Sequence, residues 1–378
     1  MFPTEEQTLA CQSLRRFLDD RIEHAYLALD GAPMEKAVIQ GFLKDLAGFG
    51  LTAAPHPEEV GGMGLDWLTH LMLFEEVGVS AMDIAIPILI NVSGADLMIR
   101  LAPDPLRDRY VPPLLAGETS IAIGISEPAV GSDVAAVTTR ARRDGGDWVI
   151  SGEKTWISNG RFADFLLCTC ATEEGLTHIL VDREEHGFET RDIHKLALNG
   201  QSTAQIFLDE VRVPIENTIG VAGRGLQQTL VVFERARIHM AMWGVALARR
   251  ALEESIRYAT ERSQHGRKIA GHQLIADKIA TMATEVDAAR LLAWRAAGLI
   301  DREIRCDTEC AMAKWYGTEI AVNATRQAVQ IHGGNGVTTD FIVERLAREA
   351  IIGPIPDGTT EIQKLLIARS LTGVSAIR

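Results

Sequence analysis

The chain has 378 residues, is 47% hydrophobic and 24% charged, and carries a formal net charge of −13. This is the composition of an ordinary globular protein with enough apolar content for a large core, not of a disordered one. The acidic balance argues against nucleic acid as a partner, since phosphate-backbone binding needs clustered Lys and Arg. The first residues, MFPTEEQTLACQSLRRFL, carry acids where a secretory leader has basic residues before an apolar run. The most apolar segments, near 84–90 and 230–233, read as too short to cross a bilayer, so no membrane insertion is expected. Five scattered cysteines do not make a disulfide framework, and neither Cys168 and Cys170 nor Cys306 and Cys310 has a histidine at zinc spacing. A reduced, cytoplasmic protein is the expectation.

Up to Gly117 the apolar residues recur at helical spacing, as in Phe42, Leu43, Leu46 and Phe49, with a Gly- and Pro-containing break over 50–64. From Glu118 to Gly220 the texture is short β-rich runs. IAIGIS, DWVISG, FLLCTC and THILVD read as strands, and Asp144-Gly145-Gly146 as a turn. From Leu226 to Glu261 there is no proline and one glycine, Gly244, which predicts a long helix. Further helices are predicted over 272–297 and 307–331, with a last one after the turn Pro356-Asp357-Gly358. On the long helix, Arg249, Arg250, Glu253 and Glu254 read as a solvated face. The expected domains are 1–117 (helical), 118–222 (β) and 223–378 (helical bundle). This order disfavours a doubly wound nucleotide fold.

Several segments, in order, resemble one family. ISEPAVGSD (125–133) and SGEKTWISNG (151–160) are followed by VPIENTIG, RSQHGRKIAGHQ, QIHGGNG and IPDGTTEIQ, and together they resemble the acyl-CoA dehydrogenase family over essentially the whole chain. The resemblance implies a helical N-terminal domain, a β-barrel-like middle domain and a C-terminal four-helix bundle, with FAD between the last two. It also implies an acyl-CoA substrate, electron-transfer flavoprotein as electron acceptor, and a homotetramer built from dimers.

Residue by residue, the resemblance assigns Ile125, Ser126, Trp156, Ile157 and Ser158 to the flavin wall, and Gly131 and Ser132 to the passage beside the flavin and the thioester arm. Tryptophan offers a broad apolar face, and a hydroxyl near the hydride-accepting nitrogen stabilises the reduced ring. Arg262 and Gln273 match residues that reach FAD's pyrophosphate and adenosine across a dimer interface. Gln330, Gly333 and Gly334 match another neighbour-subunit contact, and Thr359 and Glu361 a cofactor contact at a helix start. His265 departs from the family's usual phenylalanine. His332 reads as a packing residue.

Abstracting an α-proton from a thioester needs a carboxylate whose pKa is raised by an apolar pocket. The family places this base either in the late turn, here Asp357, or on the long helix, here Glu234 in VFERAR. Glu234 shares a helical stripe with Leu230, Ile238 and Met242, and is read as the base, with Asp357 as the alternative. A plain salt bridge from Glu234 to Arg235 or Arg237 is the bland reading. By resemblance Arg235 and Gly358 lie on the substrate side, and the Asp357 N–H polarises the thioester carbonyl. Two rivals stand: a flavin oxidase of the same fold resembling nitroalkane oxidase, with Asp357 as base, and a catalytically silent acyl-binding relative.

Overall fold

The computed structural model describes residues 3–376, apart from the side chains of 230–232. The helices α1 (Glu5–Phe17), α2 (His24–Ala28), α3 (Lys36–Ala47), α4 (Trp67–Ser80), α5 (Met82–Leu101) and α6 (Asp104–Leu115) come first. The strands β1 (Ile121–Gly124), β2 (Arg140–Asp144), β3 (Asp147–Ser158), β4 (Phe165–Thr172), β5 (Gly175–Asp182), β6 (Glu189–Asp192), β7 (Thr203–Pro214) and β8 (Thr218–Ile219) follow. Then come α7 (Gly225–Glu261), a short hairpin of β9 (Ser263–Gln264) and β10 (Arg267–Lys268), α8 (Gln273–Ile300), α9 (Asp307–His332), α10 (Val343–Ala350) and α11 (Thr360–Thr372). Helical, β and helical zones therefore succeed one another, in the order the resemblance implies.

These elements group into two compact units, one of 24–66 and 83–236, the other of 1–23, 67–82 and 237–378. In the first, the strands form one sheet in the order β6-β7-β3-β2-β4-β5-β8, with β1 pairing parallel to β4. One face buries Ile150, Leu166, Cys168, Ile179 and Ile206. Another cluster packs Leu97, Met98, Val111 and Leu114 of α5 and α6 with Phe165, Leu167 and Leu180 of the sheet. Alternation along β4 and β5 gives each strand two buried faces, which is why their sequences are nearly continuous apolar runs. The partner of β3, β7, was not expected; its alternation is broken at Asp209 and by Glu210, whose φ is +49°.

In the second unit α7 and α9 cross backbone to backbone. A Cβ on Gly244 would lie 2.4 Å from the Gly317 carbonyl oxygen, so the single glycine of the long helix is a packing requirement. The face of α7 read as solvated is so only at Glu253. Arg249 pairs with Glu75 at 3.2 Å and Glu76 at 2.7 Å, Arg250 with Glu23 at 2.7 Å, and Arg290 with Glu75 at 2.8 Å. Their partners come from distant segments and make this a half-buried ion network, which local charge pattern cannot show.

The reading of the apolar segments also needs correction. α5 is 20 residues and apolar enough to span a bilayer, although 78% of its most apolar stretch is buried within the protein. It is a core helix, carrying buried Asp83 and Asp96.

Candidate active site

In the sheet-bearing unit, the segment Ile125–Asp133 closes on itself through reciprocal backbone bonds between Glu127 and Val130, each 3.0 Å. It is tied to β3 twice. The Thr155 N–H donates to the Ser126 carbonyl at 2.9 Å, and Lys154 Nζ donates to the Ile125 carbonyl at 3.2 Å and to Glu127 Oε1 at 2.8 Å. Lys154 and Glu127 are both buried. Burial pushes the Glu127 carboxyl up, but Lys154, Thr138 and Thr139 outweigh it and bring its pKa down to about 2. Sequence reasoning passed over this pair although both residues lie inside the quoted motifs.

Next to Lys154 the register of β3 against β7 shifts, and Trp156 takes a left-handed φ of +62°. A bulky residue there costs about 1–3 kcal/mol and is held by its surroundings. The result is an indole 62% exposed, flanked by buried Ile157 and half-buried Ser158. Ser126 is half-buried, and Gly131 and Ser132 are exposed. A strained strand that turns a large apolar face outward suits a flat ring lying on it.

Glu234 stands on α7 in the same unit, half-buried, and accepts a bond from Arg235 Nη1 at 3.0 Å. Arg235 is buried, with its Nε 3.4 Å from Asp96 Oδ2. The bland pairing with Arg235 is therefore present. Of the stripe mates of Glu234, Ile238 and Met242 are fully buried, whereas the Leu230 side chain lies outside the described residues.

In the helical unit, the late turn has a defined shape. Asp357 is half-buried with φ +56°, and Gly358 follows at φ +90°. Burial raises the Asp357 carboxyl above its usual range, with Lys314 and Arg237 acting against it. Lys314, fully buried on α9, donates to the Pro354 carbonyl at 2.8 Å and the Gly358 carbonyl at 2.9 Å. Burial brings its ammonium down to about 8. Gln363, also fully buried, donates to the carbonyls of Asp357 at 3.0 Å and Gly358 at 2.9 Å. Neither Lys314 nor Gln363 was singled out from the sequence. The available signal was a lone charge among Ala311, Ala313, Gly317 and Ala321 on a buried helix.

Thr359 caps α11, accepting from the Ile362 N–H at 3.4 Å, and Glu361 is exposed in its first turn. Arg262 and Gln273 flank the β9–β10 hairpin, whose tip is His265 (φ +50°) and Gly266 (φ +75°), a turn that leaves His265 exposed. Arg262, Gln273, Gln330, Gly333 and Gly334 are all exposed on the single chain. His332 is a packing residue: its ring stacks on Tyr258 with centroids 4.2 Å apart.

A sheet that presents a strained, outward tryptophan, followed by a long helix bearing a half-buried carboxylate, defines a class of enzyme architecture. Three family descriptions match this chain in order: acyl-CoA dehydrogenase N-terminal domain over 4–118, middle domain over 122–211 and C-terminal domain over 223–372. The probable acyl-CoA dehydrogenase YngJ of Bacillus subtilis (strain 168) is 36% identical over 336 residues, covering 87% of this chain and 88% of its own. Among solved structures, a glutaryl-coenzyme A dehydrogenase in complex with glutaryl-CoA superposes with a TM-score of 0.94 at 32% identity, covering 99% of this chain and 97% of that one. A glutaryl-CoA dehydrogenase from Mycobacterium smegmatis, in complex with FADH2, gives 0.93 at 26% identity, covering 100% of this chain and 97% of that one. The chain belongs to the acyl-CoA dehydrogenase family of oxidoreductases.

Proposed function

We propose that this protein dehydrogenates an acyl-CoA thioester across its α,β-carbons, with Glu234 as the base that takes the α-proton. FAD, when bound, supplies the acceptor for the β-hydride. The outward face of Trp156 suits an isoalloxazine ring, Ser126 and Ser158 are its proposed partners there, and Arg262, Gln273, Gln330, Gly333, Gly334, Thr359 and Glu361 are the proposed contacts for the rest of the cofactor. Gly131, Ser132, Arg235 and Gly358 are the proposed neighbours of the thioester. The Asp357 N–H is the proposed donor to the thioester carbonyl, where it would acidify the α-carbon by stabilising the charge that develops on oxygen. Electron-transfer flavoprotein is the proposed electron acceptor, and a cytoplasmic homotetramer the proposed assembly.

One observation carries the choice of Glu234. Its carboxylate is only 20% exposed, on a long helix in the unit that also bears Trp156. A second reading rests on Asp357, whose carboxyl is raised by burial and which is the base a flavin oxidase of this fold would use. Anaerobic titration of the FAD-loaded protein with an acyl-CoA panel separates the two. Flavin bleaching is expected to be lost in Glu234→Gln and retained in Asp357→Asn. Loss in the aspartate variant alone overturns the assignment, and rapid reoxidation by oxygen with no bleaching by any acyl-CoA favours the oxidase.

A further inference from the structure

The late turn is braced from two sides by fully buried donors. Lys314 of α9 holds the carbonyls of Pro354 and Gly358, and Gln363 of α11 holds those of Asp357 and Gly358. Further anchors fix its ends: the Thr360 N–H donates to the Pro354 carbonyl at 3.1 Å, and a Cβ on Gly353 would strike the Trp243 ring at 2.9 Å. Three carbonyls of the turn are thus turned inward. Among the described residues, by contrast, the Asp357 N–H donates no backbone hydrogen bond. A buried lysine bonded to two carbonyls, rather than seated in a salt bridge, is a costly way to hold a loop. It is effective where a peptide must keep one orientation.

We propose that Lys314 is a positioning residue: by clamping the Pro354 and Gly358 carbonyls on either side it holds the turn, and with it the intervening Pro356–Asp357 peptide whose N–H is presented to the acyl carbonyl. Lys314 touches neither substrate nor cofactor in this scheme and acts through the turn. The inference rests on the dehydrogenase reading above and adds to it a determinant of α-carbon acidity. The physical reason is preorganisation. A donor fixed before the charge develops needs no reorganisation, and removal of one such donor typically slows a reaction by about 100-fold or more.

The test uses the FAD-loaded protein and 3-thiabutanoyl-CoA and 3-thiaoctanoyl-CoA, in which sulfur replaces the β-methylene, so that no β-hydride can leave. Exchange of the α-protons with deuterated water, followed by NMR, then reports acidification alone. Lys314→Met is expected to lower exchange at saturating analogue by about 100-fold, while FAD content and analogue affinity change by less than about threefold. Gln363→Leu, which loosens the same turn from the other helix, is expected to act in the same direction and serves where the lysine variant does not fold. Wild-type exchange in either folded variant overturns the proposal, as does a loss that merely follows lost FAD or lost binding. Failure of the wild-type protein to exchange either analogue defeats the dehydrogenase reading, and this inference with it.

Discussion

Removing the Lys154 ammonium should destabilise the protein and loosen the segment that carries Ser126. The magnitude follows from the partners. Lys154→Met leaves Glu127 as a buried carboxylate, still served by the Thr138 N–H at 2.8 Å, the Thr138 hydroxyl at 2.6 Å and the Thr139 N–H at 2.8 Å. Breaking one side of a buried pair costs about 3–5 kcal/mol, and three surviving donors place this variant near the low end. Glu127→Gln is worse. It strands the ammonium with the Ile125 carbonyl and turns an amide N–H₂ toward groups that are themselves donors, so its cost lies near the high end of about 3–5 kcal/mol. In the double variant neither charge remains. Its destabilisation should fall short of the sum of the single costs by about 2 kcal/mol or more. Urea denaturation followed by tryptophan fluorescence, on FAD-loaded and FAD-free protein, measures all three. Single effects that add within about 0.5 kcal/mol would refute the pairing as an energetic unit.

Acid should unfold the protein through two histidines. His56 and His178 are buried, and burial lowers each imidazole from 6.5 to about 4. The unfolded chain therefore takes up these protons first. The stabilisation is complete above pH 6.5 and is lost as pH falls through 4, at about 3 kcal/mol per histidine. Urea midpoints between pH 7 and 4 should show that slope, reduced in His178→Gln, where Thr169 and Thr229 (each 3.0 Å from the ring) can still be bonded. Trp156→Gly should relieve the left-handed strain and stabilise the FAD-free protein by about 1 kcal/mol, yet weaken FAD binding, measured by flavin fluorescence, by about tenfold or more. Unchanged FAD affinity would remove Trp156 from the cofactor wall. Finally, in a Glu234→Gln background, Asp357→Glu restores the longer arm at the late turn and should recover activity by about tenfold or more over the single variant. No recovery would mean that the late turn cannot present a carboxylate to the α-carbon.

Much of the fold was legible because its signals are local. The absence of proline over 226–261 marked α7, and the runs FLLCTC and THILVD marked β4 and β5, since strands buried on both faces keep few polar residues. What escaped depends on partners far along the chain. Glu75, Glu76 and Glu23 turn the charged stretch of α7 from a wet face into an ion network, and the charges at Asp83, Asp96 and Arg100 hid the full length of α5. β7 was obscured by the left-handed Glu210, which interrupts the alternation that identifies a strand.

The site divides along the same line. Residue types at motif positions could be read directly, so Trp156, Glu234 and Asp357 were named without coordinates; the groups that orient them could not. Each acid sits beside its own cation, Glu234 with Arg235 and Asp357 with Lys314 and Arg237, so charge pairing alone does not choose between them. Backbone geometry distinguishes the two positions. Asp357 has a left-handed backbone, clamped carbonyls and a side chain one methylene shorter than the family's late-turn glutamate. These features suit a peptide N–H held in place more than a carboxylate that must reach. Glu234 lies on a continuous helix, and a buried arginine steers its longer arm. The proposed division of labour fits these features: one acid position as the base, the other as the donor to the carbonyl. Swapping the two side chains should therefore not be neutral, because it shortens the arm on the helix while the late turn keeps its N–H.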